Sequence, residues 1–263
     1  MIINKPFNHQ HGFTLVELAI VLVIIGVLLG GFIGTLSSRI ETTKRANTQQ
    51  QMEEIKDAIL GFAAANKRLP CPATTTSDGD SNPDDGACVW EHGFVPGRTL
   101  GLEGSYNRDN LLLDTWGNPI RYSVTNSDGD SFTTTDGMKI TTMISLDPDY
   151  FICDGSSTSG TGCVGSTTIA NNIPFILLSL GEDGNEFVTA VAATSDQEEN
   201  SGELVVAANT AGENIAYTVG NNQIFVKKDY SSIDSSAGKF DDLIVWVSPY
   251  ILYSRMIEAG NLP

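Results

Sequence analysis

From position 18 to position 34 the chain has no polar side chain at all. Widened to 13–36, the stretch is interrupted only by Thr14, Glu17 and Thr35. An apolar run of this length predicts a helix that crosses a membrane. The alternative is a cleaved secretory signal, which carries a shorter apolar core and a small-residue cleavage site behind it. No such site follows here. The helical pattern continues instead through Ile40, Met52, Ile55, Ile59, Phe62 and Ala63, with Glu, Gln, Lys and Arg between them. The steps from Met52 onward are those of one face of an amphipathic helix. Leu69-Pro70-Cys71-Pro72 ends it, because proline neither donates a backbone hydrogen bond nor lets its predecessor stay helical. One helix of about 54 residues follows, roughly 80 Å long at the α-helical rise. Its first half is expected in lipid and its second against a soluble body.

Glu17 sits inside this apolar run. A carboxylate at the centre of a bilayer costs about 2.5–3.5 kcal/mol, and less near the edge. Either it snorkels to the headgroups or it awaits a cationic partner.

Charge separates the chain into two parts. Residues 1–70 hold seven basic and five acidic side chains; residues 71–263 hold eight and 27, a balance of −19. Such a body is a poor ligand for nucleic acid, whose phosphates need Lys and Arg. With three histidines in 263 residues, His9, His11 and His92, there is little material for His-based catalysis or zinc. His92 is expected on the surface.

After Pro72 short apolar runs alternate with Gly, Asp, Asn, Ser and Thr. Strands are expected at 120–124, 139–144, 175–180, 187–193, 204–208, 215–219, 224–227 and 243–247. Pro249 marks a helix start, and Ile251, Leu252, Met256 and Ile257 mark one face of that helix. The fold class is therefore α+β, a long helix laid on an antiparallel sheet with a short C-terminal helix. Loops are expected at 74–86 and 156–168. Cys71, Cys88, Cys153 and Cys163 allow three disulfide connectivities. Pairing of sequence neighbours closes each polar loop on itself and is favoured; a zinc site is disfavoured without a C-x-x-C spacing.

Other patterns weigh little. Residues 160–165 match G-x-G-x-x-G, but no strand precedes and no helix follows as a dinucleotide site requires. Alternating acids at 78–84 and 126–130 lack the glycine and glutamate of an EF-hand and are expected to be solvated turns. No nucleophile and base can be paired.

Gly12-Phe13-Thr14-Leu15-Val16-Glu17-Leu18, followed by its apolar run, resembles the processing motif of type IV prepilins and type II secretion pseudopilins. The resemblance implies cleavage between Gly12 and Phe13 by a prepilin peptidase and methylation of the new Phe13 amine. It implies a leader at 1–12, a membrane and filament-core half-helix at 13–36, and a body at 37–263. Glu17 would then meet the Phe13 amine of a neighbouring subunit, so that two charges enter lipid as a neutral pair.

A second resemblance lies in the body. Asp114-Thr115-Trp116-Gly117-Asn118-Pro119 is similar to a segment of major pseudopilins, as are Ser179-Leu180-Gly181-Glu182-Asp183-Gly184 and the pair Asp241-Asp242. The resemblance implies a Ca²⁺ ion held by the carbonyls of Leu180 and Asn185 and the carboxylates of Asp183, Asp241 and Asp242. The chain departs from that pattern in size, with more than fifty residues between Gly184 and Asp241.

The function these features imply is structural and non-enzymatic: a subunit of a type IV pilus or type II secretion filament. Its implied partners are other pilin subunits, the prepilin peptidase, an inner-membrane assembly platform and membrane lipid. Its implied location is the bacterial inner membrane with the body in the periplasm, then a filament. A basic flank at Arg39, Lys44 and Arg45 would by itself keep the body in the cytoplasm, but long domains translocate regardless of charge. The alternative function is a membrane-tethered adhesin or binding protein outside any filament.

Overall fold

A computed structural model describes residues 14–157, 162–184, 195–201, 204–208, 214–218, 223–232, 235 and 238–263. Within the helices and strands, the side chains of residues 29–38, 183, 195, 198, 201, 204–208 and 214–218 are not described. Gly12, Phe13 and Asn185 lie outside these residues, as do the expected strand at 187–193 and part of the G-x-G-x-x-G pattern. The chain divides into two compact units, Met1–Lys44 and Arg45–Pro263.

The helix α1 runs over Leu15–Asn66, 52 residues without a break. In the first unit its apolar side chains stand open to solvent, from Leu15 at 86% exposure to Leu28 at 56%. Among the described residues, no helix is long and apolar enough to cross a membrane. The span expected at 13–36 exceeds what is described there, because side chains 29–38 are not included.

In the second unit the spacing read from the sequence places Met52, Ile55, Ile59 and Ala63 in the core, each at most 1% exposed. Phe62 is only half-buried, under the Arg68 guanidinium at 5.0 Å. Lys67 adopts a left-handed φ of 61°, and Tyr122 donates its hydroxyl to the Pro70 carbonyl at 3.0 Å, so the chain leaves the helix anchored to the sheet.

That sheet has four strands, β1 (His92–Phe94), β2 (Arg121–Val124), β5 (Phe175–Ser179) and β9 (Leu243–Trp246), in the order β1-β2-β5-β9 with all neighbours antiparallel. A second sheet contains β3 (Tyr150–Cys153), β4 (Thr168–Ile173) and β8 (Ile224–Val226) in the order β4-β3-β8. The four-stranded sheet that packs on α1 is antiparallel as expected, whereas β3 and β8 in the second sheet are parallel. A separate antiparallel pair joins β6 (Leu204–Ala208) and β7 (Asn214–Thr218).

All five residues of β5 are buried. Phe175 and Leu177 enter the core shared with α1, while Ile176 and Leu178 enter a second core with Tyr150, Ile152 and Phe225. Alternate side chains on a strand face opposite ways, so a strand covered on both sides reads as an unbroken apolar run. The remaining elements are α2 (Ser127–Asp130), α3 (Gly137–Ile140), α4 (Ser195–Ser201) and α5 (Pro249–Glu258).

Two expectations are corrected. The strand expected at 139–144 is the end of α3 and a turn: Met138 is buried, but Ile140 and Ile144 are 77% and 97% exposed. Alternating apolar residues form a strand only where a partner offers its hydrogen-bonding edge, and Gly137 instead packs on the Ser131 backbone. In α5 the buried face is Leu252, Tyr253 and Met256, whereas Ile251 and Ile257 stay open. The acidic run at 78–84 is exposed as expected, with Asp78 at 62% and Asp84 at 89% while they pair with Arg98 and the buried Arg68.

Two disulfides, Cys71–Cys88 and Cys153–Cys163, give the neighbour connectivity. Each closes a polar loop, a constraint worth about 3 kcal/mol on the unfolded chain.

Candidate functional site

The first site is the opening turn of α1. Thr14 precedes the first helical residue, and its hydroxyl accepts the Glu17 N–H at 3.2 Å. Glu17 reciprocates: its Oε2 accepts from the Thr14 N–H and hydroxyl, both at 2.9 Å. This is a capping box, which satisfies two of the otherwise unpaired donors at a helix start. Within the single chain, Thr14 therefore holds the Glu17 carboxylate at the helix start. The signal was available as Thr-x-x-Glu at the head of an apolar run. Gly12 and Phe13, the expected cleavage pair, lie outside the described residues.

The second site lies in the body, where three quoted segments meet. The Asp114 Oδ1 accepts the backbone N–H groups of Trp116 and Asn118, both at 2.9 Å, and its Oδ2 accepts the Ser179 hydroxyl at 2.7 Å. Burial raises the Asp114 carboxyl pKa, while these donors and Gly117 pull it back down. The Asn118 amide donates to the Gly181 carbonyl at 2.6 Å, which ties the Asp114 turn to the end of β5.

Pairing of β5 with β9 sets Ser179 opposite Leu243 and so brings Asp241 to the same end. The Asp241 Oδ2 accepts the Glu182 N–H at 2.8 Å, its Oδ1 accepts the Gln197 amide at 2.8 Å, and Lys239 stands at 3.5 Å. Its carbonyl accepts from Arg45 at 2.6 Å. Asp242 faces other partners, as consecutive residues of an extended chain do. Its Oδ2 accepts the Asn200 amide at 2.7 Å. It also acts on Arg121, which is 7% exposed and whose pKa burial lowers to about 10 against the opposing pull of Asp242. Gln197 and Asn200 both come from α4, and Asn200 further donates to the Val226 carbonyl and accepts the Val226 N–H at 2.6 Å. Neither they nor Arg121 carried any signal in the sequence pattern.

Of the five residues expected to hold calcium, three have described side chains or carbonyls: Leu180, Asp241 and Asp242. Leu180 and Asp241 share the strand end, Asp242 turns to Arg121 and Asn200, the Asp183 side chain is not described, and Asn185 is outside the described residues. Among the described residues there is no group of three His, Cys, Asp or Glu side chains suited to a metal.

The tightness of this junction gives a direct prediction. Gly181 has φ +66°, and a Cβ there would lie 2.6 Å from the Asp241 carboxylate and 2.7 Å from its carbonyl. Gly181→Ala is expected to cost at least 1–3 kcal/mol, roughly the cost of one strained backbone residue, read as a lowered midpoint of urea unfolding. Gly86, half-buried and also at positive φ but with open space around its Cβ position, supplies the control for backbone strain alone.

His92 is buried rather than on the surface, which corrects the reading from sequence. Register sets it opposite Ser123, and its Nδ1 lies 2.8 Å from the Ser123 hydroxyl. The ring packs against Tyr150 and Phe225, with centroids at 5.7 and 6.1 Å, and these two rings also touch each other. A serine and a histidine in contact form the first half of a nucleophile–base arrangement. Here both are about 5% exposed, so the pair packs the two sheets together.

Comparison with known proteins places a family likeness on the N-terminal part. The profile of the prokaryotic N-terminal methylation motif matches residues 7–33. The chain is 33% identical over 67 residues to "Competence protein ComGC" of Halalkalibacterium halodurans (strain ATCC BAA-125 / DSM 18197 / FERM 7344 / JCM 9153 / C-125). That match covers 26% of this chain and 66% of the relative, just under two thirds. No solved structure matches the chain.

Proposed function

We propose that this chain, whose N-terminal segment carries the methylation motif of type IV pilin-like proteins, is a structural subunit of a type IV pilus or type II secretion filament. The observation that carries the reading is the matched motif at the head of a helix of 52 residues, where exposed apolar side chains surround one acid, Glu17. A helix that is apolar all round buries itself in lipid or among other helices. In this proposal a prepilin peptidase cuts between Gly12 and Phe13 and the Phe13 amine is methylated. The helix rests in the inner membrane with the body in the periplasm. An assembly platform then moves the subunit into a filament of pilin-like copies, with the body in a pilin-like fold. No nucleic acid is included, since residues 71–263 balance −19.

Calcium enters the proposal as the resemblance implies it, held at the β5–β9 end by the carbonyls of Leu180 and Asn185 and the carboxylates of Asp183, Asp241 and Asp242. Its support is the pairing of those two strands across a long insertion.

Mass spectrometry of the protein from its native membrane tests the reading. The expected mass lacks residues 1–12 and carries one methyl group on Phe13. An intact Met1, or a cut beyond the apolar run, rejects it and leaves a tethered binding protein as the reading to pursue.

A further inference from the structure

A groove of about 810 Å³ opens between α5, the end of β4 and the turn at 143–148. Its walls are apolar and aromatic, with Met143, Leu146, Ile173, Trp246 and Tyr253 among the lining residues. Beside them Ile144 is 97% exposed, Tyr250 80% and Ile257 42%. Contiguous apolar surface of this kind on a soluble body marks an interaction site.

The charges around the groove favour a basic occupant. Glu258 is the charged residue in its lining. Asp147 accepts from the lining residue Asn172, and Asp128 accepts the Asp147 N–H at 2.7 Å. Burial, then Asp128 and Asp147, push the Tyr253 hydroxyl pKa up to about 12, which reports the negative potential there. The neighbouring cations are engaged: Lys227 lies over the Trp246 ring at 4.7 Å, and Arg255 pairs with Glu258 at 3.6 Å.

We propose that this groove receives residues 39–44 of α1 from a second copy of the chain, with Ile40 entering the apolar floor and Arg39 facing Asp147 and Glu258. The inference rests on the filament reading above. Two bodies of −19 repel one another, so a stack of copies needs cations between them. Residues 39–45 supply Arg39, Lys44 and Arg45 against Glu41. Ile40 is 49% exposed on the same helix, an apolar anchor with Arg39 before it and Lys44 one turn on. A helix offering such an anchor to an apolar groove is a recurring mode of recognition.

The test uses the full chain assembled into filaments, with both native disulfides intact. A chain carrying Ile40→Cys and Ile257→Cys is expected to give a ladder of covalent multimers on mild oxidation, and neither single variant should do so. Independently, Glu258→Lys is expected to lower filament yield at least fivefold, and Arg39→Glu in the same chain to restore it. Filaments that form normally yet give neither ladder nor rescue overturn this inference alone. A chain that is cut at Phe13 but never enters a filament overturns the filament reading, and this inference with it.

Discussion

Glu17→Ala is expected to lower incorporation into filaments on the order of a hundredfold while leaving the body folded. In the proposed assembly the Glu17 carboxylate and the Phe13 amine of a neighbour enter lipid together. Leaving one of them unpaired costs about 2.5–3.5 kcal/mol, or about two factors of ten. The capping box complicates the reading of that result. Loss of a cap by itself costs about 0.5–2 kcal/mol of helix stability, and Glu17→Ala removes half of it. Thr14→Ala separates the two effects, because it removes both hydroxyl bonds, at 2.9 and 3.2 Å, but keeps the carboxylate and its bond from the backbone N–H of residue 14. Filament yield by sedimentation and immunoblot should be nearly normal for Thr14→Ala and nearly absent for Glu17→Ala. Equal losses in both would reduce Glu17 to a capping residue and remove its role between subunits.

Asp242→Ala is expected to destabilise the body by about 3–5 kcal/mol, since it leaves Arg121 charged and buried without its counter-charge. Melting in detergent should fall by on the order of 10 °C for a body of this size. Asp242→Leu combined with Arg121→Met should recover much of that loss, because an apolar pair of similar volume carries no desolvation cost. A drop below about 1 kcal/mol for Asp242→Ala would show that Arg121 draws its stability elsewhere. The same melts in calcium and in chelator decide the calcium proposal. A gain in calcium that Asp241→Ala abolishes supports it, with about 2.7 kcal/mol expected at a hundredfold excess over the dissociation constant. Identical melts in the two buffers reject it.

The sequence by itself determined the elements whose pattern is local. The apolar run, the 3.6-residue spacing of Met52, Ile55 and Ile59, and the Pro70 stop together define α1 to within a residue or two of Leu15–Asn66. Pro249 opens α5 as a first-turn proline should. The runs at 175–180 and 243–247 are strands because β-branched and aromatic residues crowd there, and their pairing brought Leu180 and Asp241 to one end.

Tertiary structure decided whatever depends on a partner distant in the chain. Whether 139–144 becomes a strand depends on a free edge, which it lacks. His92 is buried because Ser123, Tyr150 and Phe225, from three other segments, surround it. Asp241 and Asp242 look alike in sequence, yet one caps the turn after β5 and the other offsets a buried arginine. The amides that hold them come from α4, where the sequence pattern predicted no element. Ile251 and Ile257 satisfy the helical period of α5 but stay in solvent, because which face of a short helix is covered depends on what lies against it.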